Sequence, residues 1–185
     1  MGAGYGDVDG DGQIDLYLAN GGPIMSRFEP DALFLRNQDS YIEVGEQAGV
    51  ANQGKGHGVA FADYDQDGDL DVYVGLGGHY PGDLWPNSLY RNNGIPGTML
   101  TVKLNGAAPN PSAIGGQVVL HSGNHVQRSE VQSGGGFGST DSYSLEFGLG
   151  KRTQVDSLKV FWPSGEMEQY GPLPADQPLE LHQSK

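Results

Sequence analysis

The sequence contains no cysteine. That excludes a disulfide framework and any thiolate metal site, and the five histidines show no ligand spacing from which zinc could be held. Basic residues are also scarce. Ten Lys and Arg stand against 23 Asp and Glu, a formal net charge of -13. The ten are scattered, which argues against a nucleic-acid partner because phosphate binding needs grouped positive charge. No run approaches the roughly 18 consecutive apolar residues of a membrane-spanning helix, so membrane insertion is not expected. The opening MGAGYGD lacks the basic and apolar regions of a secretory signal. So abrupt a start reads as that of a fragment whose targeting segment, if any, lies upstream or has been removed. Catalytic signatures are missing as well: there is no GxSxG, HExxH, P-loop or Cys/His set, and a non-enzymatic protein is the expectation.

What the chain does have is glycine, 31 of 185 residues, beside an apolar content of 36%. That balance favours many short strands joined by tight turns, and hence an all-β protein. The acidic excess is concentrated. DVDGDGQIDL (Asp7 to Leu16) and DYDQDGDLDV (Asp63 to Val72) together hold nine of the 23 acidic residues. Extended to DVDGDGQIDLYLANGG and DYDQDGDLDVYVGLGG, they align at an offset of 56, and the later LFLRN and SLYRN match at 55 after a one-residue gap. These are two copies of one unit. HGVAFAD leads into the second, while the first has only GAGYGD before it, so its leading strand is expected to be short or truncated. Between the copies, alternating residues predict strands, and Glu46 to Gly49 could form a single helical turn.

After Asn92 the cluster NNGIPG reads as a linker, and the acidic loops stop. Short alternating runs follow: Leu100, Val102 and Leu104; Val118 and Leu120; Leu145 and Phe147; Leu158, Val160 and Trp162. Each is bounded by Gly, Pro, Asn or Ser, which describes a small antiparallel β-sandwich or barrel. The expected boundary lies near Gly97, with the repeats over 1–97 and the sandwich over 98–185.

Aspartate at alternate loop positions suits calcium, a hard cation that takes six to eight oxygens. Positions 1, 3 and 5 are Asp7, Asp9 and Asp11 in the first loop and Asp63, Asp65 and Asp67 in the second. Position 6 is Gly12 or Gly68, where the turn asks for a conformation that a Cβ resists. Position 7, Gln13 or Asp69, would offer its backbone carbonyl, and Asp15 or Asp71 at position 9 would close the coordination. An EF-hand needs a bidentate glutamate at position 12 and flanking helices. Here that position is Leu18 or Val74, inside the β-rich runs LYLAN and VYVGL. Two calcium ions are therefore expected in strand-loop-strand turns. Without a cation the loop carboxylates would repel one another, by about 1 kcal/mol per pair at 4 Å even in water.

GVAFADYDQDGDLDVYVG resembles the FG-GAP or VCBS repeat, the calcium-loop blade unit of integrin-type β-propellers, and LFLRNQDSYIEVGEQAGV resembles the stretch between such blades. In order, LTVKLNG, AIGGQVVLHSG, SEVQSGGGFGS, LEFGLG and VDSLKVFWPSG are similar to the ASPIC/UnbV domain, as in cartilage acidic protein and in many secreted or surface-associated bacterial proteins. Two departures stand out: Thr140 follows Ser139 where the family pattern has Ser-Gln, and Glu146 stands where it has a histidine before FGLG. The resemblance implies about two blade units of an incomplete propeller followed by a β-sandwich. It also implies an extracellular, cell-surface or periplasmic setting, and an interaction or adhesion role in which calcium is mainly structural.

Blade loops would present the ligand surface to a protein or a glycan. Tyr80 and Trp85, in GGHYPGDLWPNSLYRNN, are candidates for stacking on a sugar ring, which gives a carbohydrate-binding module as one alternative and an accessory biosynthetic enzyme as another. His57 is expected at a strand start, Trp162 in the core, and SGGGFGS (Ser133 to Ser139) in a hairpin turn or an exposed binding loop.

Overall fold

The computed structural model describes residues 2–184 apart from Pro23, Met25, His79, Tyr80, Asp83 and Asp176. It forms two compact units. The first comprises residues 1–8, 13–94 and 134–141; the second comprises 9–12, 95–133 and 142–185.

In the first unit, β1 (Gly2–Gly6), β2 (Asp15–Ala19), β3 (Ala32–Asn37) and β4 (Ser40–Glu43) form one antiparallel sheet in that order. A single helical turn, α1 (Gly45–Ala48), follows, as the sequence suggests. Gly49 ends it in the left-handed conformation, φ 74, which glycine adopts without a Cβ penalty. Then β5 (Gly56–Ala62), β6 (Asp71–Leu76) and β7 (Ser88–Tyr90) form a second antiparallel sheet. Neither sheet closes into a barrel, and the first unit has the expected character of two propeller-like blades.

The pairing registers correct one detail of the repeat. Tyr17 faces Leu33 and Leu16 faces Phe34 in the first blade; Tyr73 faces Leu89 and Val72 faces Tyr90 in the second. All four equivalences hold at 56, so the one-residue gap suggested by the shared Arg-Asn pair is absent. Cross-strand pairing and burial fix the register of a half-buried strand, whereas the Arg-Asn pair lies at its solvent-exposed end.

Residues directly opposite one another share a face. Gly4, Tyr17 and Leu33 are aligned across the first blade, and Val59 with Val74 and Phe61 with Val72 across the second. These two faces meet: a Cβ on Gly4 would fall 2.6 Å from Phe61 Cε2 and 2.8 Å from Val59 Cγ1. The absence of a side chain at Gly4 is therefore what permits the close approach. Tyr17, Ala19, Leu33, Val59, Phe61, Leu70, Val72, Val74 and Leu76 form the resulting core.

The second unit is built from β8 (Thr98–Asn105), β9 (Gln117–Ser122), β10 (His125–Glu130), β11 (Ser144–Gly150), β12 (Gln154–Val155), β13 (Ser157–Phe161), β14 (Met167–Tyr170), β15 (Leu173–Pro174) and β16 (Leu179–His182). One sheet runs β10-β9-β13-β14 and another β11-β8-β16, with a small β12-β15 pair beside them. The alternating residues expected from sequence, Leu100, Val102 and Leu104 with Leu145 and Phe147 from one sheet, and Val118, Leu120, Leu158 and Val160 from the other, join one core that includes Trp162. A two-layer sandwich results. It is not wholly antiparallel: β16 runs parallel to β8, pairing Leu179 with Val102. Parallel neighbours need a long connection, and here the chain from Asn105 to Leu179 supplies it.

Candidate metal centres

Each acidic loop bridges two paired strands. The first leaves β1 at Gly6 and re-enters at Asp15, which pairs with Gly6; the second leaves β5 at Ala62 and re-enters at Asp71, which pairs with Ala62. The position 9 aspartate is thus the first residue of the returning strand. Gly12 and Gly68 both take φ 95, the conformation expected at position 6. Position 4 is left-handed in both loops too, at Gly10 (φ 70) and at Gln66 (φ 61). In the second loop a residue with a Cβ holds that strained backbone.

The loops curl so that carboxylate oxygens of Asp7, Asp9 and Asp15 lie within 4.8 Å of one another, as do those of Asp63, Asp65 and Asp71. These are positions 1, 3 and 9. The position 5 residues, Asp11 and Asp67, stand outside both triads; Asp11 N donates to Asp9 Oδ1 at 3.2 Å and Asp67 N to Asp63 Oδ1 at 3.1 Å. At position 7, Gln13 Oε1 accepts from Gln38 N at 3.0 Å. Asp69, by contrast, is buried, and its Oδ1 has no hydrogen-bond partner. Asp65 Oδ2 lies 3.2 Å from Arg91 Nη1 in a surface pair.

The position 9 aspartates carry a second task that spacing alone does not reveal. Asp15 Oδ2 accepts from Val8 N at 2.9 Å, and its Oδ1 accepts from Arg36 N at 2.8 Å. Asp71 repeats this with Tyr64 N at 2.9 Å and Asn92 N at 2.8 Å. Every partner is again offset by 56. Each buried carboxylate therefore ties its own loop to the end of the third strand of its blade. Burial pushes Asp63 upward from the ordinary carboxylate range, against backbone N–H donation from Gly68, Asp67 and Gln66. Burial, followed by the neighbouring charges of Asp67 and Asp71, raises Asp69 to about 6. Each triad presents an all-oxygen donor set whose chemistry fits a hard divalent cation, and in the second loop the unpaired Asp69 Oδ1 lies buried next to it in sequence.

His57 is half-buried as the second residue of β5, with its ring 6.4 Å from that of Phe137. Phe137 is exposed, and its glycine-rich neighbours Gly136 and Ser139 form an isolated bridge. Trp85 is exposed, while Tyr80 lies outside the described residues. Sequence reasoning passed over Asp31, Lys55 and Asp141. Asp31 is buried against Tyr17. Lys55 is buried with Nζ donating to Ile24 O at 2.8 Å and Arg27 O at 3.1 Å. Asp141 Oδ1 accepts from Phe61 N at 2.8 Å, eighty residues away in sequence. Such long-range contacts leave no local pattern; the only available signal was the match of Asp31 to Asn87 at the repeat offset.

Comparison with known families agrees with this architecture. The FG-GAP-like repeat family matches residues 7–74, and the ASPIC and UnbV family matches residues 106–185. The chain is an FG-GAP-like repeat region followed by an ASPIC and UnbV domain. No curated protein matches it. Among the described residues, no helix is long and apolar enough to cross a membrane.

Proposed function

We propose that this chain, with its FG-GAP-like repeats and its ASPIC and UnbV domain, is a calcium-dependent interaction module that works outside the cytoplasm. The observation that carries the reading is the duplication: two triads of aspartate oxygens, each within 4.8 Å, at equivalent places in two blades. In the first loop the triad Asp7, Asp9 and Asp15 would hold one ion, completed by the carbonyl of Gln13 and by Asp11 if its carboxylate turns inward on binding. The triad Asp63, Asp65 and Asp71 would hold the other, completed in the same way by the carbonyl of Asp69 and by Asp67. When bound, calcium supplies charge neutralisation and cross-linking rather than a chemical step. The chain's own residues do the rest: Asp15 and Asp71 fix each loop to its blade, and the blades present their loops to a protein or glycan partner.

Extracellular calcium modules work at about 10⁻⁴ to 10⁻³ M, which suits such a setting. Metal at ten times its dissociation constant adds about 1.4 kcal/mol per site. The direct test is calorimetric titration with calcium and with magnesium, paired with thermal melts in chelator. Two calcium equivalents and a calcium-specific rise in melting temperature are expected. An unchanged melt and no binding heat would defeat the proposal.

A further inference from the structure

Two differences between the repeats place a charge against the carboxylates of the second loop. At position 7 the first loop has Gln13 and the second has Asp69; just beyond β7 stands Arg91, where the first blade has Leu35. For a cation in the second loop the two work in opposite directions, since one adds a negative charge and the other a positive one. Their surroundings decide which prevails.

Asp69 is only 3% exposed, and its Oδ1 has no hydrogen-bond partner. Part of its support repeats that of Gln13: Gln13 Oε1 accepts from Gln38 N, and the Gly94 N–H, at the same repeat position, supports the Asp69 carboxylate. The remainder differs. The charges acting most on Asp69 are the carboxylates of Asp67 and Asp71, so like charges surround a buried oxygen that no donor satisfies. The loop cannot easily turn it away, because Asp69 N donates to Asp67 Oδ1 at 3.4 Å. A buried acceptor in that position costs free energy, and a divalent cation at the Asp63, Asp65 and Asp71 triad offsets the cost. Arg91 is placed otherwise. Its Nη1 lies 3.2 Å from Asp65 Oδ2, but its side chain is 61% exposed, and so exposed a pair is screened by water and salt and contributes little.

We infer that Asp69 makes the second loop the tighter of the two calcium sites, so that it fills before the first; this rests on the calcium reading proposed above. Five carboxylates stand in the second loop against four in the first, and the affinity of such loops is tuned by the charge of their ligands. The Asp69 carbonyl serves the ion as the Gln13 carbonyl does. Its carboxylate adds an attraction through space that burial keeps from being screened, and the exposed Arg91 opposes it only weakly.

Calorimetric titration with calcium at neutral pH tests the ranking in two full-chain variants: Asp9→Ala, which leaves the second loop intact, and Asp65→Ala, which leaves the first. The second loop should bind about tenfold more tightly than the first. Adding Asp69→Asn to Asp9→Ala should bring its affinity down to the first-loop value, whereas adding Arg91→Leu should raise it by no more than about threefold. In chelator Asp69→Asn should melt no lower than its parent, because the amide removes an unpaired buried charge. If it does melt lower, Asp69→Gln, which installs the residue of the first loop, takes its place in the same scheme. Equal affinities, a tighter first loop, or a second-loop affinity unmoved by the Asp69 substitution overturns the inference and leaves two calcium sites standing. A wild type that binds no calcium defeats the calcium reading itself.

Discussion

The Tyr17 hydroxyl donates to Val50 O at 2.7 Å and lies 3.2 Å from Asp31 Oδ2, so a phenol and a carboxyl are buried together between two blades. Burial pushes Asp31 up to about 6, opposed by the hydrogen bonds from Asn20 and Tyr17; burial and the Asp31 charge push Tyr17 upward in turn. The second blade solves the same position with neutral Asn87. Because the folded state holds the Asp31 proton more tightly than the unfolded state does, stability from this residue is gained as pH falls from about 6 towards the unfolded value of 3.8. Above that window the full burial cost applies. Asp31→Asn should raise the urea midpoint at pH 7 and close its gap to wild type as the pH drops through the window. A gap independent of pH would contradict the assignment.

Asp9 and Asp15 should separate metal binding from scaffolding. Asp9→Ala and Asp65→Ala should abolish the calcium-induced rise in melting temperature of the affected site. In chelator they should shift stability by no more than about 0.5 kcal/mol, as surface substitutions do. Asp15→Ala and Asp71→Ala each strip two backbone N–H groups of a charged acceptor. Those variants should lose about 2–4 kcal/mol even without calcium. Denaturant melts with and without chelator give both numbers.

Gly4 and Gly75 should respond oppositely to alanine. A Cβ on Gly4 would press on Phe61 and Val59, so Gly4→Ala should cost about 1–3 kcal/mol through overpacking. At Gly75 the nearest atoms, Gly58 N and O, are 3.8 Å away, and the matching residue of the first blade is already Ala19. Gly75→Ala should be neutral or stabilise by up to about 1 kcal/mol, because it restricts the unfolded chain without strain. Equilibrium unfolding of the two variants decides it.

Asp141 should govern the exposed edge of β5. Burial raises its carboxyl above the ordinary carboxylate range, opposed by the hydrogen bond it accepts from Phe61 N. Asp141→Ala should speed hydrogen exchange at the Phe61 amide, and Asp141→Asn, which keeps an acceptor oxygen, should largely preserve protection. Equal exchange in all three proteins would show that the bond does not hold this edge.

The alternation of Leu100, Val102 and Leu104 or of Leu158, Val160 and Trp162 was legible because a strand with one buried face imposes period two on its own residues. The loop positions from Asp7 to Asp15 were legible for a similar reason: a nine-residue turn brings its carboxylates together whatever lies around it. The one-residue gap between LFLRN and SLYRN was misread because identity of Arg and Asn carries no information about which residues face each other across a ladder.

Amino-acid order alone thus determined the all-β class, the two acidic turns between strands and the residues of the sandwich core, all of which depend on local period and local turn geometry. Tertiary structure decided the rest. It assigned Gly134 to Asp141 to the unit formed by the blades, gave Asp15 and Asp71 their backbone partners across each sheet, and left Tyr73 exposed while burying Tyr17. Those outcomes depend on which surface meets which, and two residues at equivalent repeat positions can have opposite fates when only one of them has a neighbour to cover it.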